Sequence, residues 1–233
     1  MFIEALNYLR ESDDVLKTTV IGGVLLFFSF LFVPLFIVVG YILNVLRSVM
    51  DGDEQAPVFE DWGNLAIDGL KASIIGFVYS LVPAIIAVVA VLGGVMSLGL
   101  GNGSAGSGLV ASLIALVAGL AIFVVSLAIA YVLPAAIVAY ARTDSMSAAF
   151  SVTEIRRLSF SKTYATGWAV AFGISLLGGV VIGLLNAIVI GAVLAPFVTF
   201  YANVAGTHAI ASAVREMPTV EESPETPAGQ PMA

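Results

Sequence analysis

Few residues of this chain could do chemistry, and their neighbours say what chemistry that would be. Gly101-Asn102-Gly103-Ser104-Ala105-Gly106 matches the glycine fingerprint of dinucleotide-binding units letter for letter. That fingerprint cradles a pyrophosphate only when a strand precedes it and a helix opens after it. Here it lies in a Gly/Ser-rich stretch between two uncharged apolar runs, so it reads as a flexible external loop. Asp51, Asp53, Glu54, Glu60 and Asp61 offer the oxygen ligands that a hard divalent cation wants. The calcium-loop template fails on them, because Ala56 stands where its glycine belongs and Trp62 where its bidentate glutamate belongs. A solvated acidic loop is expected there. His208 is the sole histidine and cysteine is absent, so the chain holds no thiolate nucleophile, disulfide or Cys-ligated metal. No catalytic, cofactor-binding or metal-ligating residue is assigned, and no cofactor is expected.

The elements that would position any such residue follow from composition. Of 233 residues, 60% are hydrophobic and 11% charged, with a mean hydropathy of +1.06. A water-soluble domain of this size buries only about 70% of the surface its unfolded chain exposes, so lipid must solvate most of this one. The formal net charge of −7 and pI near 4.5 argue against attraction to nucleic acid or to anionic headgroups as a main activity. Met1 to Lys17 carries Glu4, Arg10, Glu11, Asp13 and Asp14, unlike the basic start of a cleaved signal peptide, and no processing is expected.

Thr18–Leu46, Ala72–Ala141 and Thr163–Val214 contain no Asp, Glu, Lys or Arg. One crossing needs about 20 apolar residues. Ala72–Gly94 and Leu109–Tyr131 each fit one, with Val95–Gly108 as the loop between them, and Thr163–Val214 fits two with a turn at Asn186. Without period-2 alternation, and with no water to satisfy the backbone, these runs must be helices. Thr18–Val49 is too long for one upright crossing and short for two. If it turns back near Phe32–Pro34, all nine cations fall on one face, as loops on the cytoplasmic side require. The expectation is therefore an all-α polytopic bundle of six spans, with five as the alternative, in the cell membrane and with both termini cytoplasmic.

Pro34 to Tyr41 followed by Arg47, Pro134 to Tyr140 followed by Arg142, and Pro196 to Tyr201 followed by His208 and Arg215 form a weak internal repeat. Each unit would be an interfacial segment, a helix out and a Pro-bearing helix back. Met1–Lys17 (with Phe2, Leu6, Leu9 and Leu16 on one face), Phe59–Leu70 and Met146–Phe160 read as short amphipathic helices in the interface. Ser175, Gly179, Gly183, Ala187, Gly191 and Ala195 recur at every fourth position. Such a ridge suits close helix packing within the chain or, failing that, between copies. Ser29, Asn44, Ser80, Ser126 and Asn186 would bind helices to one another. Residues 1–216 form one membrane domain, and 217–233, rich in Pro and Glu, is expected to be disordered.

Gly40-Tyr41, Arg47, Asp61-Trp62-Gly63 and Asp68-Gly69-Leu70-Lys71-Ala72 resemble the archaeal membrane proteins grouped as domain of unknown function 4013. The resemblance is strongest between Gly22 and Ala72 and brings no activity or functional residue. It implies a haloarchaeal source, with which acidic loops and six Arg against three Lys are in keeping.

With no ionisable group inside the apolar runs, the expected function is that of a non-enzymatic scaffold, assembly or envelope protein. Its partners would be the lipid bilayer and either further copies or other membrane proteins, and not nucleic acid. Proline-interrupted helices and a repeat favour the alternative, a transporter or channel for a small neutral or lipid-like molecule.

Overall fold

The computed structural model describes residues 1–12, 14–100, 104–187, 191–215 and 217. Its helices are α1 (Phe2–Tyr8), α2 (Val15–Phe27), α3 (Val33–Asp51), α4 (Trp62–Leu100), α5 (Ala105–Thr143), α6 (Val152–Ser159), α7 (Lys162–Leu185) and α8 (Gly191–Val214). Short 3-10 turns occupy Ser29–Leu31 and Ala148–Phe150, and no strand occurs among the described residues.

Local chemistry fixes where these helices start and stop. Pro34 sits in the first turn of α3, where its missing N–H costs nothing. Gly52, at φ +101°, ends α3 in the left-handed conformation that glycine reaches without strain. Ser104, Ser151 and Ser161 cap α5, α6 and α7 by accepting from the N–H groups of Ser107, Glu154 and Tyr164.

Five helices, α3, α4, α5, α7 and α8, are long and apolar enough to cross a bilayer, and the protein is a multi-pass membrane protein. The break after α2 falls at the turn a hairpin reading requires, with Phe32 at φ +62°. Yet α2 has 13 residues, and at 1.5 Å per residue it is only about 20 Å long. Of the six expected spans, five are full-length helices and one, α2, is a short leg.

Three further expectations are corrected. Trp62–Leu70 is not a separate surface helix but the first turns of α4, because Asp68, its deepest acid, is paired with Arg47 at 2.6 Å and does not force an exit to water. Helix α4 continues through 95–100, and residues 101–103, with the centre of the expected loop, lie outside the described residues, as does the expected disordered tail beyond Met217. Around α1 the buried residues are Ala5, Tyr8 and Leu9, with Leu6 partly buried as expected, while Phe2 is partly exposed and Leu16, at the start of α2, is exposed. This short helix is seated by Tyr8, whose ring lies 4.4 Å from that of His208 and whose hydroxyl donates to the Gln55 carbonyl.

Glycine sets the closest crossings. A Cβ on Gly40 would strike the Leu65 carbonyl, and one on Gly69 the Phe36 carbonyl, so α3 and α4 touch backbone to backbone. Gly22 and Gly23 of α2 admit the rings of Phe200 and Phe197, and Gly167 and Gly178 of α7 admit the methyls of Ala213 and Ala202 on α8. The expected ridge is divided: nothing approaches within 4 Å of a Cβ at Gly179 or Gly183, whereas one on Gly191 would strike the Leu185 carbonyl. The α7 seam follows Gly167, Ala171, Ile174 and Gly178, which are buried, on the adjacent face of the same helix.

One end of the bundle gathers the charged residues. Arg47, at the end of α3, bonds Asp68 near the start of α4 and Asp144 just after α5, and its guanidinium also lies over the Tyr140 ring. Arg142 donates to the Val214 carbonyl at the end of α8, and Gly52 lies against the Arg215 guanidinium. The three Pro-Tyr segments all lie on helices that run back toward this end, α3, α5 and α8.

Candidate functional site

Helices α3, α4, α5, α7 and α8 enclose a cleft of about 570 Å³. It exists because small and large residues are sorted. Ala72 and Gly76 of α4, Ala171 of α7, and Ala202 and Gly206 of α8 leave its walls without bulk. Meanwhile large rings hold α5 away from α7. Tyr131 packs edge-on to Trp168 at 5.1 Å and to Tyr164 at 5.4 Å. Trp168 Nε1 donates to the Ala130 carbonyl at 2.9 Å, and the Tyr164 hydroxyl to the Tyr131 carbonyl at 2.6 Å. Phe172 stacks on Trp168 and extends the same wall. Val39, Ile42, Leu43 and Leu46 of α3 close the side opposite α7 with branched aliphatics.

The polar content of the cleft is small and unevenly satisfied. Ser175 donates to the Ala171 carbonyl in its own helix. Ser73, Asn203 and Thr207 also line the cleft, and in the described structure their side chains have no hydrogen-bond partner. Asn203 stands about 16 Å along α8 from Val214, taken at 1.5 Å per residue. Asn203 is itself exposed, so its carboxamide is open to an incoming partner. Such a group is a natural receiver for a ligand's or a water's hydrogen bond. No acid, base or histidine lines the cleft, so it offers shape, apolar surface and hydrogen bonds.

The residues singled out by sequence do not converge on it. Of the fingerprint, Gly101 to Gly103 are outside the described residues and Ser104 caps α5, so the motif joins two helices. Asp61 accepts hydrogen bonds from the backbone and side chain of Asn64 at the start of α4, and Asp51, Asp53 and Glu54 are exposed. Among the described residues no three or more His, Asp or Glu side chains gather as metal ligands would. The loop is not wholly solvated either: Phe59 is buried, stacked on Tyr41 at 4.1 Å and near Phe200, and Tyr41 donates to the Pro57 carbonyl. His208 lies under Tyr8 with Ser212 3.4 Å from Nε2. Burial pushes the Tyr8 phenol up to about 12, so it stays protonated and donates. Of the polar residues expected to join helices, Ser80 bonds its own helix at Phe77, while the α4 to α5 bond comes from Ser97 to the Ser107 carbonyl. Asn203 and Thr207 escaped notice because one amide in an apolar run signals nothing about which way it faces.

A family model described as protein of unknown function (DUF4013) matches residues 25–187. No curated protein and no solved structure matches the chain.

Proposed function

We propose that this chain, which belongs to the DUF4013 family, serves the membrane by binding an amphipathic, lipid-like molecule in the cleft between the α4–α5 and α7–α8 hairpins. One observation carries this: an apolar cleft wide enough for a chain or ring system presents the unpaired Asn203 amide and Thr207 hydroxyl inside a span. Pockets of this size, mostly apolar with a few convergent polar groups, are what small-molecule sites look like. A scaffold with no ligand would gain by filling the space, since packing to full density is worth a few kcal/mol. The activity is binding or handing on of the molecule, not turnover and not ion conduction, for which charged groups or ordered carbonyls would have to replace a hydration shell. The charged end of the bundle faces the cytoplasm, following the rule that places Lys and Arg there.

Tryptophan fluorescence tests the site. Trp168 lines it, and Trp62→Phe leaves Trp168 as the only tryptophan. Brominated oleic acid added to the protein in detergent should quench Trp168 saturably, and Gly76→Phe, which fills the cleft, should abolish the saturable part. Quenching that rises linearly with bromolipid, unaltered by Gly76→Phe, would show that the ring meets only bulk detergent and would refute the site.

A further inference from the structure

We infer that a second, separate groove, between the collar helix α6 and the outer faces of α4 and α5, binds one anionic phospholipid of the surrounding bilayer. The groove encloses about 540 Å³ and shares no lining residue with the cleft. It is lined by Val78 and Val82 of α4, Val132 of α5, and Val152 and Phe160 of the collar, and Val82, Val152 and Phe160 are largely exposed. Tyr79 holds it open from one side by donating to the Ala149 carbonyl, and Tyr131 from the other by donating to the Ser159 carbonyl. The collar therefore cannot collapse onto the long helices. What remains is a slot of acyl-chain character running down from a charged surface helix.

The charge at its mouth selects the occupant. Glu154, the only acid in α6, is paired with Arg157 at 2.8 Å. Arg156 lines the groove and has no ion pair among the described residues; its guanidinium lies 5.8 Å from the centre of the Phe160 ring. A second observation points the same way: Ser159, a residue 7% exposed, lines the groove, and its buried hydroxyl has no hydrogen-bond partner among the described residues. One free cation, one unpaired hydroxyl and an apolar slot below them are complementary to a phosphate, a glycerol ester oxygen and an acyl chain. The net negative charge of the whole chain does not oppose this, because α6 itself carries two cations against one acid.

The test is lipid retention by the full chain in detergent, read by native mass spectrometry with phosphatidylglycerol or phosphatidylcholine of identical chains. A single basic residue near the membrane surface is worth about 1 kcal/mol toward an anionic lipid, or about a five-fold preference. The wild type should retain phosphatidylglycerol about five-fold better than phosphatidylcholine. Arg156→Gln should remove that preference with its melting curve unchanged, and Val82→Trp should lower retention of both lipids. Both variants should leave the saturable quenching of Trp168 intact, which separates this site from the cleft. No preference in the wild type, or an undiminished preference in Arg156→Gln, would overturn the inference.

Discussion

Two glycines decide how α3 and α4 meet, and a third shows what a glycine without that duty looks like. The Gly40 and Gly69 positions face the backbone carbonyls of Leu65 and Phe36, which cannot step aside as a side chain could, whereas a Cβ at Gly183 meets open space. Gly40→Leu or Gly69→Leu should therefore destabilise the detergent-solubilised protein by about 1 to 3 kcal/mol or more, the range for overpacking. Gly183→Leu should leave the melting curve where it was. Equal effects from the two classes would mean that the α3–α4 contact is looser than described. The sequence marked Gly40, Arg47, Asp68 and Gly69 as a set through their resemblance to a family, and the structure supplies the physics: two glycines at one crossing and an ion pair at its end. It could not reveal the Gly167–Gly178 seam in place of Gly179 and Gly183. Small residues occur on adjacent faces of α7, and only the partner helix decides which face is used.

The helices themselves were legible because charge-free apolar runs in a chain with so little charge have one solution in lipid. Their lengths were not, since an apolar run can extend past a crossing into the body of the bundle. Helices α4 and α5 have 39 residues each, about 58 Å at 1.5 Å per residue, against about 30 Å of hydrocarbon. Each therefore begins or ends inside the bundle, where Leu65, Ala72 and Ile75 of α4 and Ala135, Ala136, Val138, Ala139, Tyr140 and Ala141 of α5 are buried. The collar meets them at Tyr79 and Tyr131. Beyond those rings α4 runs about 32 Å and α5 about 39 Å, still longer than the hydrocarbon. We expect the hairpin to accommodate the excess by tilting, at a cost that thicker lipid relieves. Melting temperature in nanodiscs should thus rise from dimyristoyl to dioleoyl phosphatidylcholine. A fall would show that the hairpin is matched to thin bilayers and that the tilt is wrong. The cleft was the least legible feature, because it is an absence of side chains shared among five helices and no segment carries its signature.

Taken whole, the molecule has one charged end and one uncharged end. Arg47, Asp68, Asp144, Arg142 and Arg215 meet at the first, together with α1 and the 52–61 loop. The end of α4, the start of α5 and the end of α7 form the second. This polarity is what the cleft and the collar groove depend on, since both lie between the charged end and the lipid-facing hairpins. It was readable in outline from the placement of nine cations, but the number of full crossings was not, because α2 is a short leg that hydropathy merges with α3. The chain has no cysteine, so single cysteines report without background. Exposed positions Glu11, Gln55 and Ser145 mark the charged end, and Ala105 and Asn186 the other. With an impermeant maleimide on intact cells, Ala105→Cys and Asn186→Cys should label, and Glu11→Cys, Gln55→Cys and Ser145→Cys should label only after the cells are opened. Labelling of Glu11→Cys or Gln55→Cys on intact cells while Ser145→Cys stays protected would split the charged end across the membrane and contradict the account.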